Sequence, residues 1–159
     1  MMDKKKEIPE GKDLATMYPE IARQWDDERN APLTPKDVSY GSHRSVYWIC
    51  RACDVPHSWE ASVYSRTCQN NGCPICSGRK VLPGFNDLAT KNPDVADEWD
   101  YERNAPLTPQ MVTLRSGKLA WWHDDRGHRW LAMIHDRTYS AEVQCPYCTG
   151  RTPPRLRLV

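Results

Sequence analysis

The sequence predicts a small α+β protein built as two tandem copies of one metal-held module, each a short helix followed by a β-hairpin and cysteine knuckles. Three observations carry this reading. A long residue pattern recurs 74 positions downstream, a Cys-Pro-x-Cys closes each copy, and the hydrophobic inventory rests on seven Trp, seven Tyr and seven Cys with a single Phe. A module of roughly 70 residues buries too little surface to be secure on an apolar core alone and usually recruits a metal, a disulfide or a partner.

The repeat sets the boundaries. Leu14-Ala15-Thr16, Pro19, Ala22, Trp25-Asp26 and Glu28 through Pro35 return from Leu88 to Pro109, and the register continues ungapped through Val38/Val112, Ser42/Ser116 and Trp48/Trp122. It resumes after small length changes at His57/His128, Trp59/Trp130, Arg66-Thr67/Arg137-Thr138 and Cys73-Pro-Ile-Cys76/Cys145-Pro-Tyr-Cys148. The predicted organisation is a disordered segment over 1–13, one repeat over 14–80, a linker over 81–87, a second repeat over 88–151 and a basic tail over 152–159.

Within each copy, Pro19 and Pro93 suit the first helical position, and Ile21, Ala22 and Trp25, matched by Val95, Ala96 and Trp99, form an apolar face at helical spacing. Asn30 through Pro35 breaks that helix, and Thr34-Pro35 and Thr108-Pro109 each predict a second short helical turn with Thr as N-cap. Aromatic and β-branched residues around 46–49 and 59–64 predict the strands of the hairpin. The tryptophans recur with the repeat, as packing positions should; Trp121 aligns with Tyr47 and would offer a stacking face if exposed.

The start of the chain carries Lys4 to Lys6 with no apolar stretch behind them, and no later run could span a bilayer, so an intracellular, cytoplasmic location is expected. In a reducing compartment clustered cysteines are metal ligands more often than disulfides. Two-residue spacing in Cys73-x-x-Cys76 and Cys145-x-x-Cys148 brings two thiolates to one ion, which is half of a four-coordinate zinc site. For the first copy the predicted set is Cys50, His57, Cys73 and Cys76, since His57 has a counterpart in His128 and Cys53 has none; Cys50-x-x-Cys53 is the alternative knuckle. In the second copy His128, Cys145 and Cys148 are retained, and Asp124 aligns with Cys50. His123 is preferred as fourth ligand because imidazole is commoner than carboxylate in structural zinc sites, with Asp124 the alternative. One or two structural Zn2+ are expected. Cys68, aligned with Tyr139, is expected to be an ordinary side chain.

These residues resemble a tandem-repeat family of zinc-ribbon, treble-clef-like modules. The shared pattern is Leu-Ala, Pro-x-hydrophobic-Ala-x-x-Trp-Asp, Leu-Thr-Pro, Trp, Cys, His-x-Trp, Arg-Thr and Cys-Pro-x-Cys-x-Gly-Arg, covering both copies. The resemblance implies ligands at Cys50, His57, Cys73 and Cys76 and at His128, Cys145 and Cys148, with a departure at Asp124 where the pattern has Cys. It also implies a nucleic-acid-related role, because such modules often accompany nuclease-like domains.

Net charge is only +1, so the distribution of charge matters more than its sum. Lys and Arg number 3 against 5 Asp and Glu over 14–38 and 2 against 6 over 81–112, but 5 against 2 over 39–80 and 8 against 4 over 113–159. The cysteine-bearing halves are therefore the basic ones. Arg44, Arg66, Arg79, Lys80, Arg115, Lys118, Arg137 and Arg151 are the candidate phosphate contacts, with Arg51 and Arg129 nearby in sequence; for Arg66 and Arg137 a structural role in the hairpin turn weighs equally. The predicted function is non-enzymatic, zinc-dependent binding of nucleic acid, double-stranded DNA ahead of RNA. A protein-interaction module that inhibits or adapts an enzyme is the alternative, and a treble-clef nuclease using His123-Asp124-Asp125 near His128 is a third reading.

Overall fold

The computed structural model describes residues 7–140 and 144–151. The chain divides into two compact units, Met1–Pro74 and Ile75–Val159. The division falls ahead of the 81–87 linker, because Asn86 Nδ2 donates to the Ile75 and Lys80 carbonyls and Thr113 Oγ1 to that of Gly78, tying residues 75–80 into the second unit. The basic tail over 152–159 and residues 1–6 lie outside the described residues. Residues closing the 1–13 segment are held in place: Lys12 accepts from Tyr40 N at 3.1 Å, and Asp13 bridges Ser39.

In the first unit, α1 (Leu14–Met17), α2 (Pro19–Ala22) and α3 (Asp27–Asn30) precede β1 (Ser45–Cys50), β2 (His57–Ser62) and α4 (Val63–Thr67). The second unit repeats the order with α5 (Leu88–Lys91), α6 (Pro93–Asp97), α7 (Tyr101–Asn104), a 3-10 turn at Pro109–Met111, β3 (Leu119–His123), β4 (Arg129–Met133) and α8 (Ile134–Tyr139). Each sheet is an antiparallel pair, in register Trp48↔Trp59 and Trp122↔Trp130.

Helices of four to six residues cannot stand on propensity, and all but α2 and α8 start on a side-chain cap. Asp13 and Asp87 cap α1 and α5 by accepting from Thr16 N and Thr90 N, and Asp26 and Asp100 cap α3 and α7 in the same way. Asp87 is fully buried. Burial would raise its pKa, but hydrogen bonds from the Thr90 hydroxyl and from the Thr90 and Gly84 amides outweigh it and hold the carboxyl below its usual range. The predicted helix from Pro19 to Trp25 stops at Ala22, which leaves Trp25 to bridge Trp48 across the hairpin. The turn predicted at Pro109 is the 3-10 turn; at Pro35 the chain makes only a turn, in which Thr34 N and Oγ1 both donate to Asp37 Oδ2. The strand predicted over 59–64 ends at Ser62, whose hydroxyl accepts from Ser65 N and starts α4.

Trp25 and Trp48 meet edge-on at 5.7 Å, as do Trp99 and Trp122 at 5.3 Å. Leu14, Val38, Val46, Trp59 and Val63 complete the first core, and Leu88, Val112, Ala120, Trp130 and Ile134 the second. The open edge of each hairpin is closed by an asparagine used as a surrogate strand. Asn30 accepts from Tyr47 N at 2.8 Å and donates to Tyr47 O at 2.7 Å, and Asn104 does the same for Trp121 at 2.8 Å in both directions. Asn104→Ala leaves the Trp121 amide without its acceptor, while the Trp121 carbonyl keeps the Asp100 amide, an expected loss of about 1–3 kcal/mol. Chemical denaturation of the zinc-loaded protein would show it, and an unchanged midpoint would mean that water replaces the amide at no cost.

Candidate metal centres

The hairpins carry the ligands. Cys50 ends β1 opposite His57, which begins β2, so the register places a thiol and an imidazole side by side. Cys50 and His57 are both buried. Donor atoms of Cys50, Cys53, His57 and Cys76 all lie within 4.8 Å of one another. Cys73 stands against the same imidazole, its Sγ 3.0 Å from His57 Nε2. On the other side of the ring, Nδ1 is 2.9 Å from Val55 O and 3.7 Å from Cys53 Sγ. Of the predicted set, Cys50, His57 and Cys76 cluster with Cys53, the alternative donor, while Cys73 stands outside that four, beside the imidazole.

The second unit gathers Asp124, His128, Cys145 and Cys148 within the same 4.8 Å limit. Here Nδ1 of His128 is the central atom, 3.5 Å from each of the two Sγ atoms and 2.9 Å from Asp124 Oδ2, while Cys148 Sγ is 3.2 Å from that same oxygen. Asp124 is fixed beforehand by accepting from the amides of Arg126 and His128 at 3.0 and 2.9 Å. Burial would raise its pKa, but bonds from Cys145, Cys148 and His128 prevail and hold the carboxyl far below its usual range; the same carboxylate pushes the Cys148 thiol up to about 11. Such a thiol becomes a thiolate ligand when a cation replaces the proton.

His123, preferred as fourth ligand from the sequence, falls outside this cluster. It pairs with Arg129 in the β3–β4 ladder, and its amide donates to Glu98 O. The reason is strand parity. Ala120 and Trp122 point into the core, and two-residue alternation carries Asp124 to that side, as it carries Cys50 after Val46 and Trp48.

Both donor sets fit zinc. Bonds of about 2.3 Å to sulfur and about 2.0–2.1 Å to nitrogen put tetrahedral ligands roughly 3.3–3.8 Å apart, close to the 3.5 Å that separates His128 Nδ1 from each Sγ of the second centre. In the first centre Nδ1–H can donate to the Val55 carbonyl, a contact that orients a liganding histidine through its other nitrogen. Zinc bound at either centre would tie the hairpin to the Cys-Pro-x-Cys loop.

The comparison with known families decides the classification. Residues 21–79 and 95–151 each match the family model described as "Probable Treble clef zinc finger domain". The chain belongs to this treble clef zinc finger family. Its two repeats each contain one of the two Cys/His clusters, so the protein is a tandem treble clef zinc finger with two zinc-type centres. No curated protein matches the chain. Among the described residues no helix is long and apolar enough to cross a membrane.

The predicted phosphate contacts separate into two groups. Arg44, Arg79, Lys80, Arg115, Lys118 and Arg151 are exposed. Arg66 and Arg137 are each only 6% exposed and cannot reach a nucleic acid, which corrects their assignment as contacts. Arg66 lies between the rings of Trp48 and Trp59, 5.2 and 5.3 Å from their centroids, and donates to Asn71 O and Gln24. Arg137 occupies the same place over Trp122 and Trp130 and pairs with Glu98. Their role is to pack the tryptophans. Exposed Arg51 donates to Arg23 O, and Arg129 is paired with Asp100 and Glu102, so its charge is neutralised.

Proposed function

We propose that this tandem zinc finger is a non-enzymatic nucleic-acid-binding protein that contacts duplex DNA through a cationic groove in the second unit. The observation that supports this is a groove of about 490 Å³ whose lining includes Arg79, Arg115 and Lys118 with the hydroxyls of Ser77, Thr113 and Ser116. No carboxylate stands among its lining residues. Three cations beside hydroxyl donors suit phosphate oxygens, and arginine adds a planar fork for bidentate contacts. Arg79 is already steadied by a 3.1 Å bond from Nε to Ser77 Oγ.

Catalysis is not part of this reading. The first centre clusters four protein donors, the full set a structural zinc takes, and Asp124, the carboxylate a nuclease would need at the second, is engaged with His128 and Cys148. A protein partner is the second reading, favoured by Leu119 and Met133, which face each other across β3–β4 and are 55% and 45% exposed.

Three phosphate contacts predict that affinity for a labelled duplex falls roughly 40-fold between 50 and 200 mM salt, from a slope of about −0.9 per contact. The triple change Arg79→Glu, Arg115→Glu, Lys118→Glu should remove most of the affinity and most of that slope, with melting temperature unaltered because all three side chains are exposed. Undiminished binding by the triple variant sinks the groove. Absence of duplex binding by the parent, together with salt-tolerant capture of one protein, transfers the function to the exposed apolar pair.

A further inference from the structure

The two centres differ in ways that bear on how firmly each would hold its ion. The first clusters four donors, three of them thiols, with a further thiol, Cys73, against the imidazole, and its Cys50 and His57 are buried. The second has four, one of them a carboxylate, and only Cys145 among them is buried. Closed structural zinc sites are built from thiolate and imidazole, whereas carboxylate ligands belong mainly to sites that keep a position open. Zinc is borderline-soft, so exchanging a sulfur for an oxygen weakens the set.

The second centre also borders a cavity of about 630 Å³. Asp124, Cys145 and Cys148 form part of its wall, so three of the four donors are reached from it. Asp94 and Glu98 lie on the same wall; Glu98 is paired with Arg137, which leaves Asp94, exposed, and Asp124 as the groups that draw a cation inward.

We propose that the second centre is an exchangeable zinc site, with the cavity as its entry and exit path and Asp124 as the ligand that lets go first, while the first centre keeps its ion. Were Asp124 to release a bound zinc, His128, Cys145 and Cys148 would still hold it, and a chelator in the cavity that Asp124 and the two cysteines line could take the place of the carboxylate. Replacement is then associative, and its rate rises with chelator concentration. The first centre, held by thiols and an imidazole, has no corresponding weak member.

The test uses the full chain loaded with two zinc ions and a colorimetric chelator in excess. The expected release is biphasic, with one ion leaving at least tenfold faster than the other. Asp124→Cys should slow the fast phase at least tenfold and leave the slow phase alone, and Asp124→Ala should accelerate the fast phase. Cys50→Ser should instead accelerate the slow phase. Cobalt substitution gives an independent readout: the first equivalent added to the apo-protein should show the stronger thiolate charge-transfer absorption, and the second a weaker one that rises by about half in Asp124→Cys, as two thiolates become three. A single release rate for both ions, a fast phase indifferent to all changes at Asp124, or a chain that takes up only one zinc and loses it in Cys50→Ser would each overturn the proposal. Should Asp124→Cys fail to fold, the Asp124→Ala and Cys50→Ser rates decide it.

Discussion

Removing both zinc ions with a strong chelator is expected to unfold each unit cooperatively, with loss of near-ultraviolet tryptophan dichroism and a red shift of emission from the buried indoles. The cores explain the size of the effect. Each consists of eight or nine buried residues, and each sheet is a two-stranded hairpin, an arrangement that is marginal in water without something to pack against. Among the described residues the longest helix has six residues. Against so little burial, the apparent binding free energy of a structural zinc, about 10–16 kcal/mol in small finger peptides, is as large as the whole stability of an ordinary domain, about 5–15 kcal/mol. It acts where the fold is weakest, joining the end of the hairpin to a loop over 73–76 or 145–148 that has no regular secondary structure of its own. Readdition of stoichiometric zinc should restore the native dichroism. Persistence of that signal in the metal-free chain would show that the paired tryptophans suffice, and the metal would then be a passenger on the fold.

The repeat made most of this core legible in advance. Trp25, Trp48, Trp59, Trp99, Trp122 and Trp130 recur in register, and none is more than 4% exposed. The same argument applied to Arg66 and Arg137 would have placed them in the core as well, since they recur with the tryptophans they stack on. Arginine in a basic half reads as a surface charge, and only the neighbouring aromatic positions show otherwise. Asp124 was equally accessible: counting by twos from Trp122 selects it over His123, whereas ligand preference alone selects the imidazole. The helix at 63–67 was hidden by Val63 and Tyr64, whose strand propensity is overridden by the Ser62 cap. Cys53 shows the limit of reasoning from a repeat, because a feature found in one copy alone has no counterpart to vouch for it, although its spacing from Cys50 is a good knuckle.

Arg66→Ala is expected to lower stability by about 3–5 kcal/mol, more than the loss of any exposed arginine, because it deletes a buried cation with all its partners at once. Two indole faces lose their stacked guanidinium, and the Asn71 carbonyl loses a 2.6 Å charge-assisted bond. Arg66→Lys should recover little, since an ammonium cannot stack as a plane between two rings or reach both Asn71 and Gln24. A second consequence separates this residue from a simple core filler. Burial lowers the Arg66 pKa, and the negative charges of Cys73 and Cys50 push it back up, so the guanidinium lies within electrostatic reach of the first metal centre. Zn2+ with three thiolates and a neutral imidazole carries a net charge of −1, which a buried arginine offsets at low dielectric. Zinc affinity of the first centre should therefore fall in Arg66→Ala beyond what the lost packing explains. Comparison with Arg66→Met isolates that part, because Met fills much of the space between the indoles without the charge. Equal zinc affinity in Arg66→Met and the parent would reduce Arg66 to a packing residue; weaker affinity in both variants would make it the counter-ion of the centre.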